Sequence, residues 1–495
     1  MKKLFMLVMA LCLVACNAGA QLQRPKLVVG LVVDQMRWDY LYYYYNQYGS
    51  NGLRRLLSEG YSCNNMLLNY VPTVTAVGHS TIFSGALPAV SGIAGNYFYV
   101  NDKQVYCCAD NSVQSVGSNS SEGQMSPHRF MVNTIGDELK TATDFKSKVV
   151  GVALKDRAAI LPAGHAADGA YWWDTSAGHF VTSTFYMKQL PQWVVDFNKA
   201  NQQKPGTDVK TSVKGVDLTF AMAEAAVNAE QLGQHDVTDM LTVSVSSTDA
   251  IGHKFGTRGQ QNHDVYMQLD KDLAEFLSFL DSKVGKGNYL LFLTADHGSA
   301  HNYNYMLQHR IPAGAFTYNE TVKQVNQYLT QKVGIAPVMG EDNYQLYIND
   351  STVLASGHTM DEVKTLIVNY LQNDPQFQYV VDNDKVALAT MPDRIKQMIT
   401  NGYYRGRSGE ITLVTRPQYF GAENSPKYTG TQHGQWNPYD AHIPFILMGW
   451  HVNHGYTNMP VHMTDIAPTV CAMLHIQMPN GCIGDAITAV TDQVQ

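Results

Sequence analysis

Four short apolar runs, each rich in β-branched residues and each leading into a polar one, constrain this chain more than any other feature. Leu27 to Val33 runs into Asp34, and Val149 to Leu154 runs into Lys155. Met240 to Ser246 leads to Asp249, and Tyr289 to Thr294 leads to Asp296-His297. Apolar runs without alternation suit strands buried on both faces of a parallel sheet. Helical patterns lie between them: Val265, Leu269, Leu273, Phe276, Leu277 and Leu280 fall on one helix face. Strands alternating with helices predict an α/β fold built on a doubly wound, mostly parallel sheet. Open parallel sheets bind ligands at the carboxyl ends of their strands. Here all four ends carry residue types that hold metals or anions.

The pattern changes between Tyr303 and Glu423. Helical stretches (Thr321 to Leu329, Met360 to Leu371, Pro392 to Ile399) mix with short strand-like pieces (Tyr344 to Ile348, Gln378 to Val381, Ile411 to Val414). The stretch 303–423 reads as an inserted α+β subdomain. The core is then 21–302 and 424–495, with a smaller excursion over 161–234. A chain of 495 residues has room for this arrangement.

The first twenty residues read as a signal segment. Lys2 and Lys3 precede an apolar run from Leu4 to Ala15, and Ala18-Gly19-Ala20 fits a cleavage site. Leu13-Val14-Ala15-Cys16 also fits a lipobox, which would leave the protein anchored through Cys16. Both readings place it outside the cytoplasm, as a periplasmic protein or a lipoprotein. Past this segment nothing approaches the ~18 apolar residues of a membrane span. A net charge of −7 without a basic cluster argues against nucleic acid as the main partner. Cleavage after Ala20 leaves Cys63, Cys107, Cys108, Cys471 and Cys482. Five is odd, so at most two bridges form with one thiol left over, the candidates being a local one, Cys471 to Cys482, and a distant one from Cys63 to Cys107 or Cys108. No CxxC pair exists, which argues against a thiolate zinc site.

Asp249 and His253 stand four residues apart just beyond a strand, so a helical turn there lets both reach one ion. Asp296-His297 is an adjacent pair at another strand end. Asp34 and His433 complete a set of carboxylates and imidazoles that suits zinc, with manganese or iron as alternatives. Six ligands exceed one tetrahedral zinc and fit two, each with an open position. The nucleophile candidate lies in Pro72-Thr73-Val74-Thr75-Ala76-Val77-Gly78-His79-Ser80, where a turn feeding a helix favours a phosphate at its N-terminus. Thr75 is the favoured hydroxyl, with Thr73 and Ser80 as rivals. His79 reads as a packed histidine rather than a ligand.

Asp34, the Pro-Thr-Val-Thr75-Ala-Val-Gly-His element, Asp249-x-x-x-His253, Asp296-His297-Gly298 and Thr-Gln-His433-Gly together resemble the alkaline phosphatase superfamily. The resemblance is to its nucleotide pyrophosphatase/phosphodiesterase-like branch, and within that to phosphate-irrepressible bacterial alkaline phosphatases. It implies two Zn²⁺, one held by Asp34, Asp296 and His297 and also binding Thr75, the other by Asp249, His253 and His433. It makes Asn96 a donor to a phosphoryl oxygen, and Lys155 and Arg157 the Lys-x-Arg pair of monoesterases. The implied activity is hydrolysis of small phosphate monoesters through a phosphothreonine intermediate. The alternatives are a phosphodiesterase or nucleotide pyrophosphatase on the same scaffold, and a non-catalytic, zinc-stabilised surface binding protein.

Overall fold

The computed structural model of the chain describes residues 22–492. The signal segment expected over 1–20, with Cys16, lies outside them. The four apolar runs form strands β1 (Leu27–Val33), β2 (Val149–Ala153), β3 (Asp239–Val245) and β4 (Tyr289–Thr294). Every residue in them is buried, which is why the runs show no polar alternation. They lie in the order β4–β1–β3–β2, all parallel, at the centre of a ten-stranded sheet. Val33 lies opposite Val245, Val32 opposite Thr294, and Ser244 opposite Ala153. The residues that follow the four strands therefore leave the sheet nearly level, at one edge.

The strand Gly169–Asp174 continues the parallel run beyond β2, and His179–Ser183 pairs antiparallel beside it. The segment 161–234 thus places two strands in the central sheet. On the other side Phe445–Gly449 pairs antiparallel with β4. The predicted amphipathic face becomes the helix Gln260–Leu280, with Val265, Leu269, Leu273, Phe276, Leu277 and Leu280 all buried. The core is an α/β fold with a mostly parallel sheet, as the strand and helix alternation requires.

A separate sheet forms between Tyr303 and Glu423. Its strands Val338–Asp342, Gln345–Ile348, Ile411–Thr415 and Phe377–Asp382 pair antiparallel in that order. The helices Tyr318–Val333 and Met360–Leu371 pack on it. Val325, Leu329, Leu346, Val363, Ile367 and Leu413 build a hydrophobic core distinct from the main one. The helix Asp393–Gly402 instead joins the main core through Ile395, Met398 and Ile399.

The two expected disulfides are not formed, and all five cysteines among the described residues are free. Cys482 turns its sulfur onto Gly85, 2.5 Å from where a Cβ would stand, while Cys471 is buried within the helix Ile466–Leu474. Cys107 and Cys108 pack on each other, Sγ to Sγ 3.9 Å, and Cys63 sits near one end of the central sheet. Among the described residues no helix is long and apolar enough to cross a membrane.

Candidate active site

Three helices start around the edge where the strands end: α1 (Thr75–Ser84), α2 (Asp156–Ala163, directly after Lys155) and α3 (Ser247–Phe255). Every residue of α1 is buried. At Gly78 it approaches the backbone of Asp296 so closely that a Cβ would lie 2.4 Å from the Asp296 carbonyl oxygen. Only glycine permits that approach. Thr75 therefore opens the helix, where the dipole favours an anion, and is 1% exposed.

Around it the strand-end residues converge. Lys155 Nζ donates to Asp34 Oδ2 and to Asp249 Oδ2, at 2.6 Å each, and lies 3.5 Å from Thr75 Oγ1. His253 Nε2 stands 3.1 Å from Asp249 Oδ1 and 3.3 Å from His433 Nε2. His297 Nε2 is 3.4 Å from Asp296 Oδ2 and 3.7 Å from Asp34 Oδ1. The rings of His297 and His433 stack with centroids 3.6 Å apart. Among the described residues two groups have the spacing to hold a metal ion, Asp249 with His253 and His433, and Asp34 with Asp249 and His297. Asp249 belongs to both, and Asp296 borders the second through His297.

The imidazoles are oriented from behind. Nδ1 of His253 pairs with the Thr431 carbonyl, Nδ1 of His433 with that of Thr73, and Nδ1 of His297 with that of Gly298. A carbonyl only accepts, so each Nδ1 carries a proton and each ring turns its Nε2 edge inward. Two such nitrogens, His253 and His433, face each other at 3.3 Å. Asp34 Oδ1, Asp296 Oδ2 and His297 Nε2 are buried without a hydrogen-bond partner. Of the three buried carboxylates, Asp34 and Asp249 share one ammonium and Asp296 has no ammonium against it, so the cluster is short of positive charge. This donor set fits divalent cations.

The ionisation of the groups reflects the same shortage. Burial, with the neighbouring Asp296 charge, pushes the Asp34 carboxyl well above its ordinary range. Burial acts on Asp249 in the same sense, but His253 and Lys155 outweigh it and hold that carboxyl well below. Burial, then the facing His297 and His253, presses His433 well below the usual histidine value.

Asn96 and Arg157 stand at the margin of this cluster. Asn96 Oδ1 accepts from the N–H of Ala76 at 2.9 Å, the residue after Thr75. Its Nδ2 remains for another acceptor. Arg157 is held by Tyr106, whose Oη accepts from Nη1 at 3.1 Å and donates to Asp156 at 2.8 Å, and its Nε has no partner. It touches none of the carboxylates of the cluster.

The structure also adds Gln35, which sequence patterns did not flag, and packs His79 in the interior as its sequence context predicts. Gln35, at φ 65°, donates its backbone N–H to Asp296 Oδ1 and its Nε2 to Asp249 Oδ1. His79 packs between Ser244 Oγ at 2.8 Å and the Thr75 carbonyl at 2.9 Å, and its Nδ1 lies 3.3 Å from Asp296 Oδ2. Adjacency to Asp34 was the one available signal for Gln35.

A mostly parallel sheet with carboxylates, imidazoles and a hydroxyl gathered at its strand ends is the arrangement of a metal-dependent hydrolase with an alkaline-phosphatase-like fold. The chain belongs to the type I phosphodiesterase / nucleotide pyrophosphatase family, whose model matches residues 28–440. It is 44% identical to alkaline phosphatase PafA of Elizabethkingia meningoseptica over 94% of each chain. A crystal structure of wild-type PafA superposes with a TM-score of 0.91, covering 95% of this chain and 100% of that one at 44% identity. A Myroides odoratus protein named calcium-transporting ATPase is 43% identical over 97% of each chain. Alkaline phosphatase PhoV of Synechococcus elongatus is 40% identical, over 94% of this chain and 92% of its own.

Proposed function

We propose that this chain is an exported alkaline phosphatase that hydrolyses phosphate monoesters with Thr75 as nucleophile and two zinc ions. The observation that carries the reading is Lys155. Its ammonium stands 3.5 Å from Thr75 Oγ1 at a helix N-terminus, inside a pocket of ligand-type side chains. An ammonium there favours the alkoxide form of Thr75 and meets the added charge of a monoester dianion.

Asp34, Asp296 and His297 would hold one ion, and Asp249, His253 and His433 the other. When bound, the two ions supply Lewis-acid charge at the nucleophile and at the leaving-group oxygen. The chain's own groups do the rest. Thr75 Oγ1, its proton lost to solvent, attacks phosphorus in line as the ester P–O bond breaks and the alcohol leaves with a proton from water, and water then hydrolyses the phosphothreonine to release inorganic phosphate. Asn96 has its Oδ1 engaged by Ala76, so its Nδ2 donates to a non-bridging oxygen. Lys155 and Arg157 hold the remaining charge on the phosphoryl group. Export rests on the basic start, the apolar run and the cleavage-type residues at 18–20, with anchoring through Cys16 as its lipoprotein form.

The family's description favours a second reading, a phosphodiesterase, which carries one charge fewer in its substrate and rewards the cation pair less. The two readings separate on kcat/KM for p-nitrophenyl phosphate and bis-p-nitrophenyl phosphate, with wild type and Lys155→Ala/Arg157→Ala. A monoester lead of orders of magnitude that the double variant erases supports the phosphatase. A diester preference that the variant leaves unchanged overturns it.

A further inference from the structure

The separate sheet reaches the site through two consecutive residues. Asp342 pairs with Gln345 across the hairpin of Val338–Asp342 and Gln345–Ile348, so Asn343 and Tyr344 form a two-residue turn. Both adopt the left-handed conformation, φ 56° and 61°, as a tight hairpin turn requires. Asparagine tolerates it, but a bulky aromatic residue there is uncommon.

Each side chain goes to a different wall of the site. Asn343 Nδ2 donates to the carbonyl of Tyr97 at 2.7 Å, one residue beyond Asn96. The approach is so close that a Cβ on Gly95 would lie 2.2 Å from Asn343 Nδ2. Asn96 itself accepts from Ala76 N–H at Oδ1 and from Cys107 N–H at its carbonyl, both 2.9 Å, and Tyr97 pairs with Tyr106 across a hairpin. Tyr344 donates its hydroxyl to the carbonyl of His433 at 3.2 Å and accepts from the N–H of Gly421 at 3.4 Å. Its ring, 4% exposed, fills the space a Cβ on Gly434 would need, 2.6 Å away. Two residues of one turn thus touch the loops bearing Asn96 and His433, which lie far apart in sequence.

We propose that Asn343 and Tyr344 are positioning residues: Asn343 fixes the aim of Asn96, and Tyr344 fixes the placement of His433. The inserted sheet then serves as a brace for phosphoryl transfer. The proposal rests on the reading of Asn96 as a phosphoryl-oxygen donor and of His433 as a metal ligand.

The test is a double-mutant cycle on the zinc-loaded, full-length enzyme with p-nitrophenyl phosphate. Asn343→Gly keeps a turn that tolerates positive φ and removes only the donor. It should lower kcat/KM roughly ten- to a hundredfold, and the loss should vanish in an Asn96→Ala background. Asn343→Asp turns an acceptor toward the Tyr97 carbonyl and should lose more than Asn343→Gly. Tyr344→Phe keeps the ring and should speed zinc loss to a chelator roughly tenfold, whereas Asn343→Gly should not. Circular dichroism and Tm confirm that each variant folds. Equal losses from Asn343→Gly with and without Asn96, or zinc loss unchanged in Tyr344→Phe, overturn the proposal and leave the phosphatase reading standing. No effect of Asn96→Ala itself overturns the role given to Asn96, and the positioning role of Asn343 with it.

Discussion

Gln35 and Asp249 are joined by a 2.5 Å hydrogen bond from Nε2 to Oδ1, although they lie 214 positions apart and leave the sheet from different strands. The same residue gives its backbone N–H to Asp296 Oδ1 at 3.0 Å, so one residue spans both ligand groups. Gln35→Met keeps the volume and loses the donor. It should weaken metal binding roughly ten- to a hundredfold, read by chelator competition. Gln35→Glu adds a charge facing Asp249 and should be worse. Wild-type affinity in both variants would mean that Gln35 only fills space.

Lys155 carries a second consequence. With metal removed, its ammonium is the cation shared by Asp34 and Asp249, and its side chain is 9% exposed. Lys155→Met should destabilise the metal-free protein by about 3 kcal/mol or more. In the zinc-loaded protein the loss should be smaller. Paired urea titrations of the two forms measure the difference, and equal losses would contradict the shared-charge account.

Gly78 sets how near α1 comes to Asp296. Gly78→Ala places a methyl group against a backbone carbonyl that has no rotamer to change. A cost of roughly 1–3 kcal/mol in stability is expected. Because the helix carries Thr75 at its first turn, kcat should fall further than the stability loss explains. Phosphatase assays at a temperature where the variant is fully folded test this.

Glu410 gives the separate sheet a pH dependence. Burial pushes its carboxyl up to about 7 from an ordinary value of about 4.5, despite a hydrogen bond from the Ile348 N–H at 2.7 Å. Between those values the folded protein keeps a proton that the unfolded chain releases. Stability from this group is therefore fully present below pH ~4.5, falls as pH rises through ~7, and is flat beyond. Glu410→Gln should flatten the profile and raise Tm relative to wild type at pH 8. A parallel shift at pH 5 and pH 8 would exclude this assignment.

The strands that build the site were legible because burial on both faces leaves no alternation to blur them. β1 and β4 coincide with the runs Leu27–Val33 and Tyr289–Thr294. The polar residues at their ends were legible because each one breaks off an apolar run. The strands Gly169–Asp174 and His179–Ser183 were not, because their mixture of small, aromatic and polar residues makes no β-branched apolar run and sits in a stretch that reads as an excursion. Gln35 is invisible for a different reason: its left-handed backbone and its two carboxylate partners come from contacts over 200 residues away. The cysteine count suggested bridges, but a count carries no information on which way a buried sulfur points.

The hydrogen bond from His433 Nδ1 to the carbonyl of Thr73 crosses 360 positions. A ribosome adds residue 433 only after the whole second sheet has been made. Until then Asp249 and His253 lack their third partner, whatever else has folded. The pocket beside Thr75 is thus among the last parts of the molecule to close, and a chain cut short before that histidine has no complete second ligand group. Full-length synthesis is, in effect, the licence for reactivity.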